Sequence, residues 1–374
     1  MANDRNWAES AAAMGHQRAS AVLVTGASGE MGHGLLGSLA AERAVGGPAV
    51  IAVDIRELDA AIRAKCDHAF VGDICDHALR ERLLAMYEIT EIYHLAALLS
   101  TRSEFAPETA HQVNVGGTLN LLHLAAEQAR SHGSTVRFFF PSSIAVYGMP
   151  DLKTKSAARA VDESSYREPH TMYGCNKLAG EHLGRYYSDH YRKLAKDRIA
   201  HPVDFRSIRF PGIISADTVP SGGTSDYGPE MIHAAASGTP YRCFVRPDST
   251  IPFMTMPEAI EATTRLMRAP ADRLTRCVYN VASFSPSADD FAVLVRAAFP
   301  GAKIDFDPDL GRQSIVDSWP AVCDDSAARR DWGWKPTYTL ESAFAEYLLP
   351  TIARRYGVRP ASMGRHAGAP RLQG

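Results

Sequence analysis

Short apolar runs alternate with stretches of helical periodicity through the first 140 or so residues of the chain. "AVLVTG" (21–26), "AVIAVDI" (49–55), "EIYHLAA" (91–97) and "TVRFFFPSS" (135–143) are too short for helices and rich in β-branched and aromatic residues, which predicts buried strands. Between them, "MGHGLLGSLAAERA" (31–44), "HALRERLLAMYE" (77–88) and "NVGGTLNLLHLAAEQARSH" (114–132) space their apolar residues as helices do. Alternation of this kind predicts an α/β fold, a doubly wound parallel sheet with helices on both faces. Phe138, Phe139 and Phe140 fit it as a buried strand rather than a binding patch. After residue 143 the pattern loosens. Residues 147–171 are polar and irregular and read as a surface excursion. A helix is predicted over 172–195 and a strand over "DFRSIRFPG" (204–212). The segment from about 213 to 350 mixes short elements and ends in "SAARRDWGWKP", a helix stopped by Gly333 and Pro336 and capped by an acidic residue or Ser326.

Within this pattern, "VTGASGEMG" sets Gly26, Gly29 and Gly32 at three-residue spacing between a strand and a helix. The first glycine permits the tight turn, the second lets backbone approach a pyrophosphate, and the third allows close helix–strand packing, with phosphate at the helix N-terminus. Asp54 ends the second strand about twenty residues further on, where an acid bonds a ribose 2′-hydroxyl and repels a 2′-phosphate. NAD is therefore expected over NADP, with Arg56 close enough to temper the preference. Asp73 and Ile74, after a third strand, are candidates for the adenine edge.

"TMYGCNK" places Tyr173 and Lys177 one helical turn apart on one face. A free phenol with a pKa of about 10 is a poor base at neutral pH, but an adjacent ammonium favours the phenolate. The strand "FPSSIAVYG" ends in Ser142 and Ser143, either of which can hold a substrate oxygen beside Tyr173 or merely cap backbone groups.

Composition narrows the classes. The chain has 374 residues, 45% hydrophobic and 22% charged, with a net charge of −2, which leaves no electrostatic footprint for nucleic acid or anionic membrane. No apolar run is long enough to span a bilayer, and "MANDRNWAESAAAMGHQRAS" has no apolar core for export. Six scattered cysteines, without CxxC pairs or histidines at zinc spacing, are expected to be thiols of a reducing, cytoplasmic protein that binds no metal.

Taken together, "TGASGEMG", the acid after the second strand, "HLAA", Asn114, "SSIAVYG" and "YGCNK" resemble the extended short-chain dehydrogenase/reductase family of NAD-dependent epimerases, dehydratases and dehydrogenases. The resemblance covers about residues 20–345. "YHLAALLS", "PSSIAVYG", "GGTSDY", "SWP" followed by "DDS", and "DWGWKP" are similar, more narrowly, to its short-chain-type L-threonine 3-dehydrogenases. That resemblance implies a Rossmann-type domain over 21–212 with a return segment at about 251–283. A smaller, discontinuous substrate lobe then falls over 213–250 and 284–350, between a flexible leader (1–20) and a disordered tail (357–374). It also implies that Ser143 is the catalytic serine and that Asn114 supports the active-site helix and a proton-relay water. Glu30, Met31, Leu95, Ala96, Ala97 and Pro211 would join Gly26, Gly29, Gly32, Asp54, Asp73, Ile74, Tyr173 and Lys177 around the cofactor. Ser100, Gly223, Thr224 and Asp226 would contact the substrate, with Asp226 on its ammonium. A homodimer through the helices at 114–132 and 172–195 is implied as well.

Oxidation of the 3-hydroxyl of L-threonine, or of a close amino or hydroxy acid, is the expected activity. The alternative within the family is a nucleotide-sugar epimerase or dehydratase, for which Arg206, Arg209, Arg242 and Arg246 are the available diphosphate cations. A non-catalytic NAD-binding protein is disfavoured by the presence of both Tyr173 and Lys177. Asp226 by its chemistry alone is equally a turn-forming residue. Trp319, Trp332 and Trp334 are expected to anchor the packing of the smaller lobe.

Overall fold

The computed structural model describes residues 18–220 and 222–361. Seven strands, β1 (Ala19–Thr25), β2 (Ala49–Asp54), β3 (His68–Val71), β4 (Tyr87–His94), β5 (Val136–Ser143), β6 (Val203–Phe210) and β7 (Val278–Asn280), form one sheet. Their spatial order is β7-β6-β5-β4-β1-β2-β3, with every pairing parallel. Order reverses between β1 and β4, and the crevice outside their carboxyl ends is where such sheets bind ligands.

Seven helices frame the cores and the crevice: α1 (Glu30–Arg43), α2 (Gly117–His132), α3 (Met172–Arg185), α4 (Tyr227–Ser237), α5 (Met256–Arg268), α6 (Leu310–Ser318) and α7 (Ser326–Trp332). Strand alternation divides the core. Val22, Val24, Phe139 and Ile208 pack under α1, α5 and α7. Ala21, Leu23, Phe138 and Phe140 face α2, and α3 lies flat on the same side, because a Cβ at Gly184 would sit 2.1 Å from the Phe205 ring. Burial on both faces is why these strands read as unbroken apolar runs. A second core gathers Tyr227, Met231, Phe253, Phe291 and Phe344, beside a short parallel pair, Tyr241–Cys243 with Ile304–Phe306.

Several expectations change. β1 begins at Ala19, so the last two residues of the expected leader belong to the sheet, and residues 1–17 lie outside the described residues. Of the expected tail, Ala361 N–H donates to the Ala298 carbonyl at 2.8 Å, and residues 362–374 lie outside the described residues. The helix expected over 172–195 ends at His190 after a π turn, since Arg192 takes a left-handed φ of 49°. The excursion is a strap rather than a loose loop. Its short helix Leu152–Ala157 buries Lys155, whose ammonium donates to the Val316 carbonyl at 2.9 Å. Val161 exchanges backbone bonds with Val322 and Asp324.

Trp319 packs in the smaller lobe, but Trp332 and Trp334 pack on the main sheet, because α7 crosses back and sets Trp332 edge-on to Tyr279 at 5.9 Å. At the start of α7 the N-cap is Asp325, which makes no side-chain cap bond, while Asp324 accepts from Ser326 N–H at 2.9 Å; Gly333 ends the helix at φ 71°. No helix among the described residues is long and apolar enough to cross a membrane.

Candidate active site

Gly26 adopts φ 71°, and a Cβ there would fall 2.5 Å from Ala96 N. A Cβ at Gly32 would fall 2.5 Å from the Ala27 carbonyl oxygen. The turn is thus wedged between β2 and the residues after β4, with Gly26 N–H donating to Val53 O at 2.9 Å. Gly29, the N-cap of α1, offers no side-chain cap, so the first helical N–H groups remain available to an anion. Ser28 adds a buried hydroxyl without a partner among the described residues. This cradle fits a dinucleotide pyrophosphate.

Asp54 is 8% exposed and held rigidly, its two carboxylate oxygens accepting from Ser28 N–H (2.9 Å) and Arg56 N–H (3.1 Å). Asp73 is exposed and accepts from Cys75 N–H at 2.8 Å, while Ile74 is buried. Leu95, Ala96 and Ala97 follow β4 half-buried, Met31 is half-buried in the first turn of α1, and Pro211 is buried at the end of β6. Glu30 accepts a hydrogen bond from the Thr218 hydroxyl, so the glycine-rich turn touches the loop that leads to α4. Burial first, then the charges of Asp226 and Asp217, raise the Glu30 carboxyl above its ordinary value.

The two serines separate cleanly. Ser142 is buried and donates to Glu181 at 2.5 Å, and Glu181 accepts from Arg209 Nε at 2.8 Å and Nη2 at 2.7 Å. Ser143 is half-buried, and its hydroxyl oxygen accepts from Ala145 N–H at 3.1 Å. Thr171 caps α3 through Gly174 N–H, and a Cβ at Gly174 would lie 2.0 Å from the Ala145 carbonyl oxygen. The first turn of α3, carrying Tyr173, is thereby pressed against the turn that follows Ser143.

Lys177 is 3% exposed, with Nζ 5.3 Å from the Tyr173 ring centre and 4.8 Å from that of Phe140. Burial pushes the Tyr173 phenol up and the Lys177 ammonium down to about 7, Glu181 partly restoring the latter. Asn114, in a π turn at Gln112–Gly116, accepts from Leu98 N–H (2.7 Å) and donates to Leu98 O (3.0 Å). It ties the helix to the segment that carries Ser100.

Sequence reasoning missed the relay beneath. Thr118 donates to Asn114 O at 2.6 Å, so His94 Nε2 donates to Thr118 (2.9 Å) and Nδ1 accepts from Thr25 (3.0 Å). Burial depresses His94 to about 3, which keeps it neutral. Its position in "HLAA" was visible, but its two partners lie on β1 and α2.

Thr101 donates to Gly222 O at 3.0 Å, which brings the helix begun by Ser100 against the "GGTSDY" loop. There Gly222 adopts φ 87°, Thr224 is 5% exposed, and Asp226 accepts from Gly223 N–H at 2.7 Å. Asp226 therefore also makes the local turn contact that its chemistry alone allows. The arginines considered as diphosphate ligands are committed elsewhere. Arg206 donates to the Leu266 and Ala269 carbonyls and pairs with Asp204, and Arg209 holds Glu181. Arg246 pairs with Asp317, and Arg242 projects into solvent near Asp307.

A glycine cradle that fits a dinucleotide lies at the crevice beside β1, and the chain is an NAD-dependent oxidoreductase. Residues 22–282 match the NAD dependent epimerase/dehydratase family, and the chain belongs to it. The mitochondrial L-threonine 3-dehydrogenase of Bos taurus is 35% identical over 325 residues, 85% of this chain and 79% of the bovine one. Among solved structures, the holo form of a GalE-like L-threonine dehydrogenase from Cupriavidus necator aligns with TM-score 0.76 and 37% identity, over 88% of this chain and 99% of that one. A monomeric L-threonine 3-dehydrogenase from a metagenome aligns with TM-score 0.76 and 34% identity, over 90% and 99%.

Proposed function

We propose that the enzyme oxidises the 3-hydroxyl of L-threonine to give L-2-amino-3-oxobutanoate. The observation that carries this reading is the character of the loop beside the cofactor cleft. It offers the Thr224 hydroxyl, 5% exposed, and the Asp226 carboxylate, a pair suited to a small ligand that carries an ammonium. The arginines that a sugar diphosphate would require are instead paired or bonded within the protein, or turned to solvent. The similarity to L-threonine dehydrogenases over most of the chain supports the same substrate.

In this reading Gly26, Gly29 and Gly32 hold the pyrophosphate, and Asp54 holds the adenosine ribose. Bound NAD⁺ supplies a hydride acceptor and a positive ring that favours the phenolate. Tyr173 removes the hydroxyl proton as the carbon–hydrogen bond at C3 gives up its hydride and the carbonyl forms. Ser143 donates to the substrate oxygen, and Lys177 lowers the proton affinity of Tyr173. Ser100 and Thr224 bond the carboxylate, Asp226 pairs with the ammonium, and Asn114 fixes the segment that carries Ser100. A homodimer through α2 and α3 belongs to the same proposal, and sedimentation tests it, a single-chain mass overturning that part.

NAD⁺ reduction measured across L-threonine, L-allo-threonine, L-serine, 3-hydroxybutyrate and UDP-galactose tests the function. L-Threonine is expected to give the highest kcat/KM. Turnover of UDP-galactose with none of L-threonine overturns the reading.

A further inference from the structure

The loop on which substrate choice rests is held from a distance. Gly222 O accepts from Thr101 at 3.0 Å and from the Arg312 guanidinium at 2.6 Å, and the same guanidinium nitrogen lies 3.3 Å from Gly223 O. Both lone pairs of the Gly222 carbonyl are therefore occupied. On the other side of that peptide plane, Gly223 N–H donates to Asp226. Any movement of the Gly222 carbonyl turns the N–H that orients the Asp226 carboxylate.

Arg312 is itself fixed. Its guanidinium carbon sits 3.6 Å from the ring centre of Phe244, which is 8% exposed. Its backbone N–H donates to Asp309, the N-cap of α6, and Asp309 N–H donates to Phe244 O at 3.0 Å. Cation, aromatic platform and helix start form one support. Stacking and donation at once call for a planar fork, which lysine lacks. The charge of Arg312 meets two carbonyl oxygens of half-buried residues, and a carbonyl shielded from water and deprived of a charged donor is costly to leave unpaired.

We propose that Arg312 is a positioning residue that sets specificity, clamping the Gly222–Asp226 loop so that Asp226 meets the ammonium of the substrate. This rests on the function proposed above. The clamp acts on the ammonium side of the pocket, and none of its bonds is made to the glycine residues of the cradle or to Tyr173 and Lys177.

The test uses full-length wild-type enzyme, Arg312→Met and Arg312→Lys. Steady-state constants are measured for L-threonine and for 3-hydroxybutyrate, which lacks the ammonium, together with hydrogen exchange of the peptide over 222–228. Arg312→Met is expected to raise KM for L-threonine roughly tenfold or more, the scale of one lost charge-assisted hydrogen bond. KM for 3-hydroxybutyrate and for NAD⁺ should stay within about twofold, and the loop peptide should exchange faster. Arg312→Lys should fail to restore KM.

Three outcomes overturn the clamp. The first is unchanged loop exchange in Arg312→Met. The second is an equal rise in KM for both substrates, which would make Arg312 a direct carboxylate ligand. The third is a rise in KM for NAD⁺ accompanied by a lowered Tm, which would mark a purely structural role. If wild-type enzyme oxidises no L-threonine, the substrate reading falls, and loop exchange still decides the clamp on its own.

Discussion

Ser142 and Ser143 are adjacent at the end of β5, yet their hydroxyls serve different systems. Ser142 donates inward to Glu181 at 2.5 Å, whereas Ser143 is half-buried beside the first turn of α3. Ser142→Ala removes one bond from a buried Glu181–Arg209 pair and should cost about 1–3 kcal/mol of stability, seen by denaturant unfolding, with kcat little changed. Ser143→Ala should lower kcat by about a hundredfold or more with stability unaltered, as loss of a positioned donor does. The reverse pattern would assign catalysis to the wrong serine.

In the proposed mechanism the pair on α3 sets the pH dependence. Burial raises Tyr173 and lowers Lys177 to about 7. A base works deprotonated, so oxidation should rise with pH and fade as pH falls through the Tyr173 ionisation in the complex. Lys177→Met removes the charge that favours the phenolate and should move this acidic limb upward by about one pH unit or more. Profiles of kcat that superimpose would show that Lys177 does not tune Tyr173.

Lys177 also leaves a mark on stability. Its proton affinity in the folded protein lies below that of an exposed lysine, near 10.4, so the folded state binds fewer protons than the unfolded one. The penalty for burying its charge is absent at very alkaline pH, grows as pH falls, and is complete below about 7. Lys177→Met should therefore gain stability over wild type at neutral and acidic pH, and the difference should vanish at alkaline pH. Urea midpoints across that range read it out, and a pH-independent difference would contradict the buried-charge account.

Gly26→Ala forces a side chain into a left-handed turn 2.5 Å from Ala96 N. Loss of both NAD⁺ affinity and melting temperature is expected. Gly46 supplies the control, since it shares a left-handed φ, 96°, but a methyl group there would meet nothing within 4 Å. Gly46→Ala should shift melting alone, as cofactor titration and calorimetry would register.

Asp54 is braced by Ser28 and Arg56 N–H groups at the end of β2. Asp54→Asn keeps the size and removes the charge that repels a 2′-phosphate. KM for NAD⁺ should rise about tenfold, the scale of one charge-assisted bond, while KM for NADP⁺ falls. An unchanged ratio of the two would separate Asp54 from cofactor choice.

What could be read from the chain was what neighbours in sequence decide. The turn at Gly26–Gly32, the acid closing β2 and the one-turn spacing of Tyr173 and Lys177 each depend on a few consecutive residues. The choice between Ser142 and Ser143 depends on Glu181 and Arg209, which approach from another helix and another strand, so residue chemistry left it open. Arg312 and His94 were missed for the same reason, Gly222 lying 90 residues from the one, and Thr25 and Thr118 lying 69 and 24 residues from the other. Trp332 was assigned to the wrong core because a helix of seven residues carries no signal of which lobe it will cross. β7, only three residues long, was too short to show a period of two.

That late strand bears on how the protein is made. β7 completes the sheet only when residues 278–280 have been synthesised, and the apolar face under α1 is closed by Ala327, Ala328, Trp332 and Trp334. On the ribosome, β6 must wait as an unpaired edge while well over sixty further residues emerge, at a pace of roughly 5–20 residues per second. The sheet is begun first and finished last, so a chain truncated before Val278 would leave the β6 edge and the apolar face under α1 uncovered and become a client for chaperones rather than a working half-enzyme.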